Sequence, residues 1–419
     1  MSTYPQSVCI LGRQPALGLA ELESLYGTAA VNPMAKHVAG LSLPASEVDF
    51  GRLGGSTRLA SVVATVPNKL WKDVEKQLIK TVGELADTLP EGKLQLGLST
   101  FDVPITPAKL NATGLTLKKV LRSRTGRSVR VTPNPELELS TAAVAHNHLT
   151  GLTGLELLVI ATGGKTVIAR TTAVQDIDSY TVRDRGRPKR DARVGMLPPK
   201  LAQIIINLAH PTPHGVVLDP FCGTGVLPQE ALLMGYGVYG SDLEQRMVDY
   251  TRANLDWLAT QYNISGRHIF LEQADATGFT NHDVIDAVAC ETYLGRPFTS
   301  KPSAELLAQT VNEVNLILKR FLISLRDQTI PGTPLCLAIP AWRTNSEVSK
   351  YRGQAALPQK NREFDTSTTG DRFKHLPLID QISDLGYNRT RFEHIRDEDL
   401  IYYREDQIVA RELLVLTRK

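Results

Sequence analysis

The 419-residue chain has little cysteine, little net charge and no long apolar run. Its four cysteines, Cys9, Cys222, Cys290 and Cys336, are too far apart for the short pair spacing of a zinc site, and nothing in their placement suggests a disulfide framework. A reducing, intracellular setting is expected. No uninterrupted apolar stretch approaches bilayer length, and the N-terminal Met1-Ser-Thr-Tyr-Pro-Gln-Ser lacks the basic and apolar regions of a leader. The expectation is a soluble, cytoplasmic protein with no membrane contact. A formal net charge of only +3 excludes a uniformly basic surface, so affinity for nucleic acid has to come from local clusters of Lys and Arg.

What is present is ordinary globular composition, 42% hydrophobic and 22% charged, on a chain long enough for two or three domains with real cores. The first part alternates strands and helices: strand Ser7 to Leu11, amphipathic Leu17 to Leu25, strand Leu59 to Val66, helix Trp71 to Leu89 and strand Leu94 to Ser99. A helix from Leu115 carries Lys118, Lys119 and Arg122, followed by Arg124, Arg127 and Arg130, with no acid among them. That run is either a phosphate-contacting footprint for RNA or a plain solvated face. A helix from Thr141 to Leu149 contains His146 and His148, which fall on different faces with no acid or cysteine beside them, so no metal is assigned. Strands follow at Leu155 to Ala161 and Thr166 to Thr171.

A second, denser basic cluster comprises Arg183, Arg185, Arg187, Lys189, Arg190 and Arg193. Gly186, Pro188 and Gly195 argue against a regular element, which makes the segment a basic linker suited to contacting tRNA or simply solvated. Pro199 then opens a buried helix over Leu201 to Leu208.

From Gly215 the alternation becomes strict: strand Val216 to Leu218, helix Val226 to Met234, strand Gly237 to Gly240, helix Leu243 to Leu258, and strand His268 to Glu272. This is the pattern of a doubly wound α/β sheet. Ligands of such sheets sit beyond the carboxyl ends of the strands, where Asp219, Asp242 and Asp275 fall. Between the first strand and helix runs Asp219-Pro-Phe-Cys-Gly-Thr-Gly225, whose glycines let backbone amides approach a ligand closely or merely make a turn. Asp219 can fix that turn or accept from a ligand amino group. Asp242 offers two oxygens to a ribose diol or caps a helix; Asp275 can accept from an adenine amino group or cap its loop. A nicotinamide dinucleotide fits less well, because the third glycine of its fingerprint would stand where Pro228 is. The rest of the sheet is read as strand Val284 to Cys290, helix Ala304 to Leu325, strand Pro334 to Pro340, helix Leu376 to Leu385, and a hairpin of Ile401 to Arg404 with Ile408 to Leu416. Between them lies a polar tract from Arg343 to Lys374.

The Asp-Pro-Phe-Cys-Gly loop resembles that of S-adenosylmethionine-dependent enzymes that methylate exocyclic amino groups of nucleic acid bases. With Leu11-Gly-Arg-Gln-Pro15, Leu19-Ala-Glu-Leu22, Val174-Gln-Asp-Ile177, the basic segment Arg183 to Lys200 and Gly240-Ser-Asp-Leu243, the whole chain resembles the THUMP-domain tRNA (guanine-N2) methyltransferases acting on G10. The resemblance implies a ferredoxin-like and THUMP-type RNA-binding region over 1–175, the basic linker over 176–200 and a Rossmann-like methyltransferase domain over 201–419. It implies S-adenosylmethionine held by Asp219, Phe221, Cys222, Gly223, Gly225, Asp242, Leu243, Asp275 and Ala276. The implied partner is tRNA, with a small helper subunit in some settings and a monomer otherwise.

Members of that family carry an acid-Pro-Pro-aromatic segment after the fourth strand; this chain has Glu291-Thr-Tyr-Leu-Gly-Arg-Pro297 there. Glu291 can still offer carboxylate oxygens to an amine, Tyr293 can stack on a flipped base, and Thr292 keeps a backbone carbonyl for the second amine hydrogen. Two outcomes stay open on sequence: an active tRNA guanine N2-methyltransferase, or a tRNA-binding protein that keeps the fold with weak or no turnover. A DNA amino-methyltransferase ranks below both, since no separate DNA-reading region is evident.

Overall fold

The computed structural model describes residues 5–191, 197–278, 280–298, 300–344 and 373–419. By its internal contacts the chain divides into two units, Met1–Ser179 and Tyr180–Lys419. Among the described residues no helix is long and apolar enough to cross a membrane.

In the first unit the elements run β1 (Ser7–Leu11), α1 (Pro15–Tyr26), β2 (Val31–Ala35), β3 (Val38–Leu41), β4 (Ser56–Val66), α2 (Trp71–Ala86), β5 (Leu94–Phe101), α3 (Pro107–Thr125), β6 (Val129–Val131), α4 (Thr141–His146), β7 (Gly154–Thr162) and β8 (Lys165–Val174). The strands form one sheet in the order β2-β3-β1-β4-β8-β7-β5-β6, with β5 parallel to both β6 and β7 and the other pairs antiparallel. β7 is apolar along nearly its whole length because both its faces are covered, which explains its unbroken hydrophobic run. α3 starts eight residues before the expected Leu115: Pro107 opens it, Thr106 accepts from the Lys109 amide at 3.3 Å, and Gly126 closes it in the left-handed conformation. The β2–β3 hairpin had no counterpart in the sequence reading.

Buried in this sheet, Arg58 of β4 donates to Glu156 of β7 at 2.6 Å, to Glu138, and to the Leu139 carbonyl at 2.9 Å. Glu156 also accepts from Ser99 and Thr171, each at 2.7 Å, so the carboxylate is fully hydrogen-bonded where water cannot reach it.

α5 (Ile177–Arg185) begins at the sequence boundary, so part of the stretch expected to be irregular is helical. Gly186 and Pro188 act one turn later than anticipated, ending the helix instead of preventing it. The second unit continues with α6 (Pro199–Ala209), β9 (Val216–Asp219), α7 (Val226–Leu233), β10 (Gly237–Asp242), α8 (Gln245–Tyr262), β11 (Ile269–Gln273), β12 (Ala287–Glu291), α9 (Ala304–Gln328), β13 (Pro334–Arg343), β14 (Phe373–Lys374), β15 (Tyr387–Arg389), β16 (Ile401–Tyr402) and β17 (Val409–Arg418). Its sheet order is β11-β10-β9-β12-β13-β17-β15, with β14 on β13 and β16 on β17. The first five strands are parallel; β17 is antiparallel to β13, and the β16–β17 pair is the expected C-terminal hairpin. This is a Rossmann-like doubly wound arrangement whose order reverses between β9 and β12.

Two expected boundaries shift. The fourth strand starts at Ala287 rather than Val284, since Asp283 turns back to its neighbour's amide and Asp286 caps Val216 of β9 at 2.7 Å. The expected helix over 376–385 is instead a short 3-10 turn, Pro377–Gln381, docked by its Leu378 amide on Asn315 of α9 at 2.8 Å. The tract expected between Arg343 and Lys374, including Lys350, Arg352, Lys360 and Arg362, lies mostly outside the described residues.

Candidate active site

The carboxyl ends of β9, β10 and β12 are neighbours, and each ends in an acid: Asp219, Asp242 and Glu291. Asp219 is buried and accepts from the Phe221 amide at 3.2 Å, so it fixes the turn that leaves β9. Burial pushes its carboxyl well above the usual range, opposed by that amide and reinforced by the negative charge of Asp242 and Glu291. Asp242 spans the loop: one oxygen accepts from the Gly223 amide and the other from the Glu244 amide, each at 3.0 Å. Its carboxyl is also raised by burial, opposed by the hydrogen bonds of these amides. A carboxylate has about four acceptor positions, so Asp242 keeps capacity for a further pair of donors.

The loop between them is shaped by glycines for identifiable reasons. Gly223 is left-handed (φ 52°), and a side chain there would meet only open space, with the Phe221 carbonyl the one heavy atom, at 3.9 Å. Gly225 is also left-handed (φ 79°), but a Cβ there would come within 2.9 Å of the Thr251 side chain of α8. Thr251 donates to the Gly223 carbonyl at 2.9 Å, and Asn254, one turn later, donates to the Thr224 carbonyl at 2.8 Å. Neither residue was singled out from sequence. Their signal was two polar residues on the buried stripe of an amphipathic helix, alongside Val248, Leu255 and Leu258. Gly225→Ala is therefore expected to cost about 1–3 kcal/mol, the left-handed penalty plus displacement of Thr251. Thermal unfolding and ligand titration of the purified variant measure it, and an unchanged unfolding temperature would count against this account of the loop.

The other expected contacts divide. Phe221 is half-buried and packs edge-on against Phe321 of α9, ring centres 5.1 Å apart, so it anchors the loop to the core. Cys222 is buried, its amide bonded to the Ser241 carbonyl at 2.9 Å and its thiol pushed up by burial. Leu243 is an exposed apolar side chain at the rim of the loop. Asp275 is exposed and accepts from the Thr277 amide and hydroxyl at 2.8 Å, the loop-capping alternative, while Ala276 is buried behind it.

After β12, Glu291 receives a hydrogen bond from Arg411 Nε at 2.6 Å. Thr292 is buried and both its amide and hydroxyl donate to the Ala338 carbonyl, at 3.0 and 3.2 Å. Gly295, left-handed, seats against Thr310 and Val314 of α9, where a Cβ would approach to 3.0 Å. These contacts hold the segment in place without the two prolines. Tyr293 projects outward, 46% exposed.

The basic residues expected to touch RNA are also divided. Arg124 is paired with Asp87, and Arg127 donates to the carbonyls of Leu89, Pro90 and Gly92, holding the loop between α2 and β5. Arg183 is buried against Glu230 at 2.7 Å, and Arg187 is buried too. Arg183 and Arg187 depart from the sequence expectation, their guanidinium groups enclosed by the fold because a long cationic stem packs as readily as it solvates, whereas the Arg124–Asp87 pair lies on the surface and Arg127 is half-buried. Lys119, Arg122, Arg185 and Arg190 are exposed, and Lys118 is half-buried. Lys189 is exposed with its ammonium over the Tyr250 ring at 5.5 Å, and its backbone is clamped by Asn254 at 2.9 Å in both directions, which ties the basic segment to the glycine loop. Arg193 lies outside the described residues.

The family described as UPF0020, RMKL-like, methyltransferase domain, matches residues 187–325. The proteins named tRNA (guanine(10)-N2)-dimethyltransferase of Methanothermobacter thermautotrophicus and Methanocaldococcus jannaschii are 33% and 31% identical to the chain over 147 and 141 residues. Those matches cover 35% and 32% of this chain, and the chain spans only 39% of either relative's length. A protein named "Probable tRNA (guanine(10)-N2)-dimethyltransferase" from Methanothermococcus thermolithotrophicus is 30% identical over 121 residues, 27% of this chain and 72% of that relative. The crystal structure of TrmN from Thermus thermophilus aligns over 99% of both chains with a TM-score of 0.50 at 16% identity, a likeness of fold. With a methyltransferase domain built on the reversal of strand order and a relative matched over most of its length, the chain belongs to the tRNA (guanine-N2) methyltransferase family.

Proposed function

We propose that the chain transfers a methyl group from S-adenosylmethionine to the exocyclic N2 of a guanosine in tRNA, at position 10 as in the names of its relatives. The observation that carries this reading is the row of acids at the ends of β9, β10 and β12 around an open glycine turn. A methyl donor of this kind supplies an electrophilic methyl carbon on a sulfonium centre. The residues present fit it: Gly223 leaves room over the loop, Asp219 would hold its ammonium, Asp242 its ribose diol, and Leu243 would offer an apolar rim to its purine. Asp275 keeps an acceptor for the adenine amino group.

Glu291 accepts from the guanine amine and takes its proton. With the donor bound, the guanine nitrogen would take the methyl group as the carbon–sulfur electron pair was left on sulfur, and Glu291 would pass the amine proton on to water. Tyr293, exposed beside it, stacks on the base. The first unit serves as the THUMP-type RNA-binding region, using Lys118, Lys119 and Arg122, while Arg185, Lys189 and Arg190 contact phosphate near the site.

Incubating the full chain with an unmodified tRNA transcript and labelled donor, then mapping nucleosides, tests the proposal. N2-methylguanosine that disappears when guanosine 10 is replaced by adenosine is the expected result. Binding of donor and tRNA without incorporation would reject it in favour of a tRNA-binding protein without turnover.

The raised carboxyl of Asp219 gives a pH prediction. In the free protein it holds its proton above the ordinary carboxylate range, so the second unit loses stability as pH climbs from that range towards the raised value. A ligand ammonium beside it favours the ionised form, so binding S-adenosylhomocysteine releases protons. Calorimetry in buffers of different ionisation enthalpy should show this release, and Asp219→Asn should abolish it. Equal release by both proteins would remove Asp219 from the ligand contact.

A further inference from the structure

We infer that Arg411 is the positioning residue that makes Glu291 competent to receive the guanine amine; the inference rests on the proposed role of Glu291. Arg411 lies on β17, two strands away from Glu291, and the sheet register brings them together. Glu291 pairs with Ala338 of β13, and Arg411 pairs with Pro340, two residues further along the same strand. Side chains alternate between faces, so Glu291, Ala338, Pro340 and Arg411 share one face of the sheet. The two residues between them, Ala338 and Pro340, are small or compact, which leaves a lane along which the guanidinium reaches the carboxylate.

The contact is nearly dry. Arg411 is 7% and Glu291 16% exposed, and Arg411 Nε meets Glu291 Oε1 at 2.6 Å. A second nitrogen, Nη1, donates to Gln407 Oε1 at 3.2 Å, so the guanidinium is held from its other side. One oxygen of Glu291 is thereby occupied, and the other remains to meet the amine. The guanidinium, held by Gln407 on one side and by Glu291 on the other, directs its Nε–H at one carboxylate oxygen, a geometry that the flexible ammonium of a lysine would not reproduce.

The titratable groups that face Glu291 offer it no other cation among the described residues. Asp219, at the end of β9, lies within electrostatic reach, and so does the neutral thiol of Cys290 on its own strand. Arg411 from β17 is the cation in contact with Glu291 among the described residues. Removing it takes away the cation in contact with that carboxylate among the described residues, and with it both the hydrogen bond that orients Oε1 and the charge that favours the ionised form. The prolines usual after this strand set an acceptor by backbone rigidity; here a side chain anchored two strands away does so.

The test is the pH dependence of single-turnover methyl transfer into unmodified tRNA by the full chain. Arg411→Gln is expected to move the acid limb upward by at least about one unit and to lower the rate near neutrality by roughly tenfold or more, with S-adenosylhomocysteine affinity retained. Arg411→Lys keeps the charge, so its acid limb should stay near that of the wild type while kcat falls and KM does not change. A uniform loss at every pH with an unmoved limb in Arg411→Gln would reduce Arg411 to a structural residue and overturn the inference. Should Arg411→Gln not fold, Arg411→Lys decides: wild-type kcat overturns the inference, and lowered kcat at unchanged limb and KM supports it. Glu291→Gln separates this from the underlying reading, since full activity in that variant would overturn the role of Glu291 itself.

Discussion

Glu291→Gln should lower the rate of methyl transfer into unmodified tRNA by about 10²–10⁴-fold, the usual range for removing a general base, while leaving donor binding close to wild type. The amide matches the carboxylate in size and can still accept from Arg411 through its oxygen, so the fold around β12 has no reason to change. What it loses is the ability to take a proton and to balance positive charge developing on the amine nitrogen. Single-turnover kinetics with labelled donor measure the effect, and calorimetry with S-adenosylhomocysteine serves as the control for binding. A variant as fast as the wild type would require another acceptor for that proton. A variant that loses binding as well would show that Glu291 supports the loop around Asp219.

The second large effect concerns stability. Arg58→Met should destabilise the first unit by about 3–5 kcal/mol, because it strands Glu156 as a buried carboxylate with its neutralising partner gone. Ser99 and Thr171 would still donate to Glu156, but hydroxyl dipoles offset only part of a unit charge. The double variant Arg58→Met/Glu156→Leu removes both charges and should recover much of the loss. Amide hydrogen exchange of β4, β7 and β8 isolates the response of this sheet from that of the second unit, which an unfolding curve for the whole chain would blur. A single variant that costs less than about 1 kcal/mol would mean water reaches Glu156, contrary to its complete burial.

Most of the secondary structure could be read along the chain because its signals are local. The runs that became β5, β7 and β9, and the stretch Ala304 to Leu325 within α9, announce themselves by periodicity and by flanking Gly, Pro and Ser. The same holds for the glycine turn after β9, since an acid and two glycines between a strand and a helix need only a few consecutive residues to be recognised. Elements shaped by distant partners were less legible. The turn at Pro377–Gln381 looks helical in sequence but is captured by Asn315, and the β2–β3 hairpin is too short to carry a strong pattern.

Charge was the poorest guide. Lys119 and Arg183 look alike in sequence, yet one is exposed and the other is buried against Glu230, itself raised by burial and held down by that same arginine. Nothing local to Arg183 names Glu230, 47 residues away, and the same is true of Arg127 and the carbonyls it closes.

By itself the sequence determined the doubly wound sheet and the row of acids at its strand ends, because strand, turn and helix signals act over short spans and the order of strands follows from their connections. Only the tertiary structure decided which side chains are free to act. Thr251 and Asn254 reach the glycine loop from α8, and Arg411 reaches Glu291 across 120 positions of sequence. Such pairings depend on register and packing between strands and helices far apart in the chain, which no local pattern encodes.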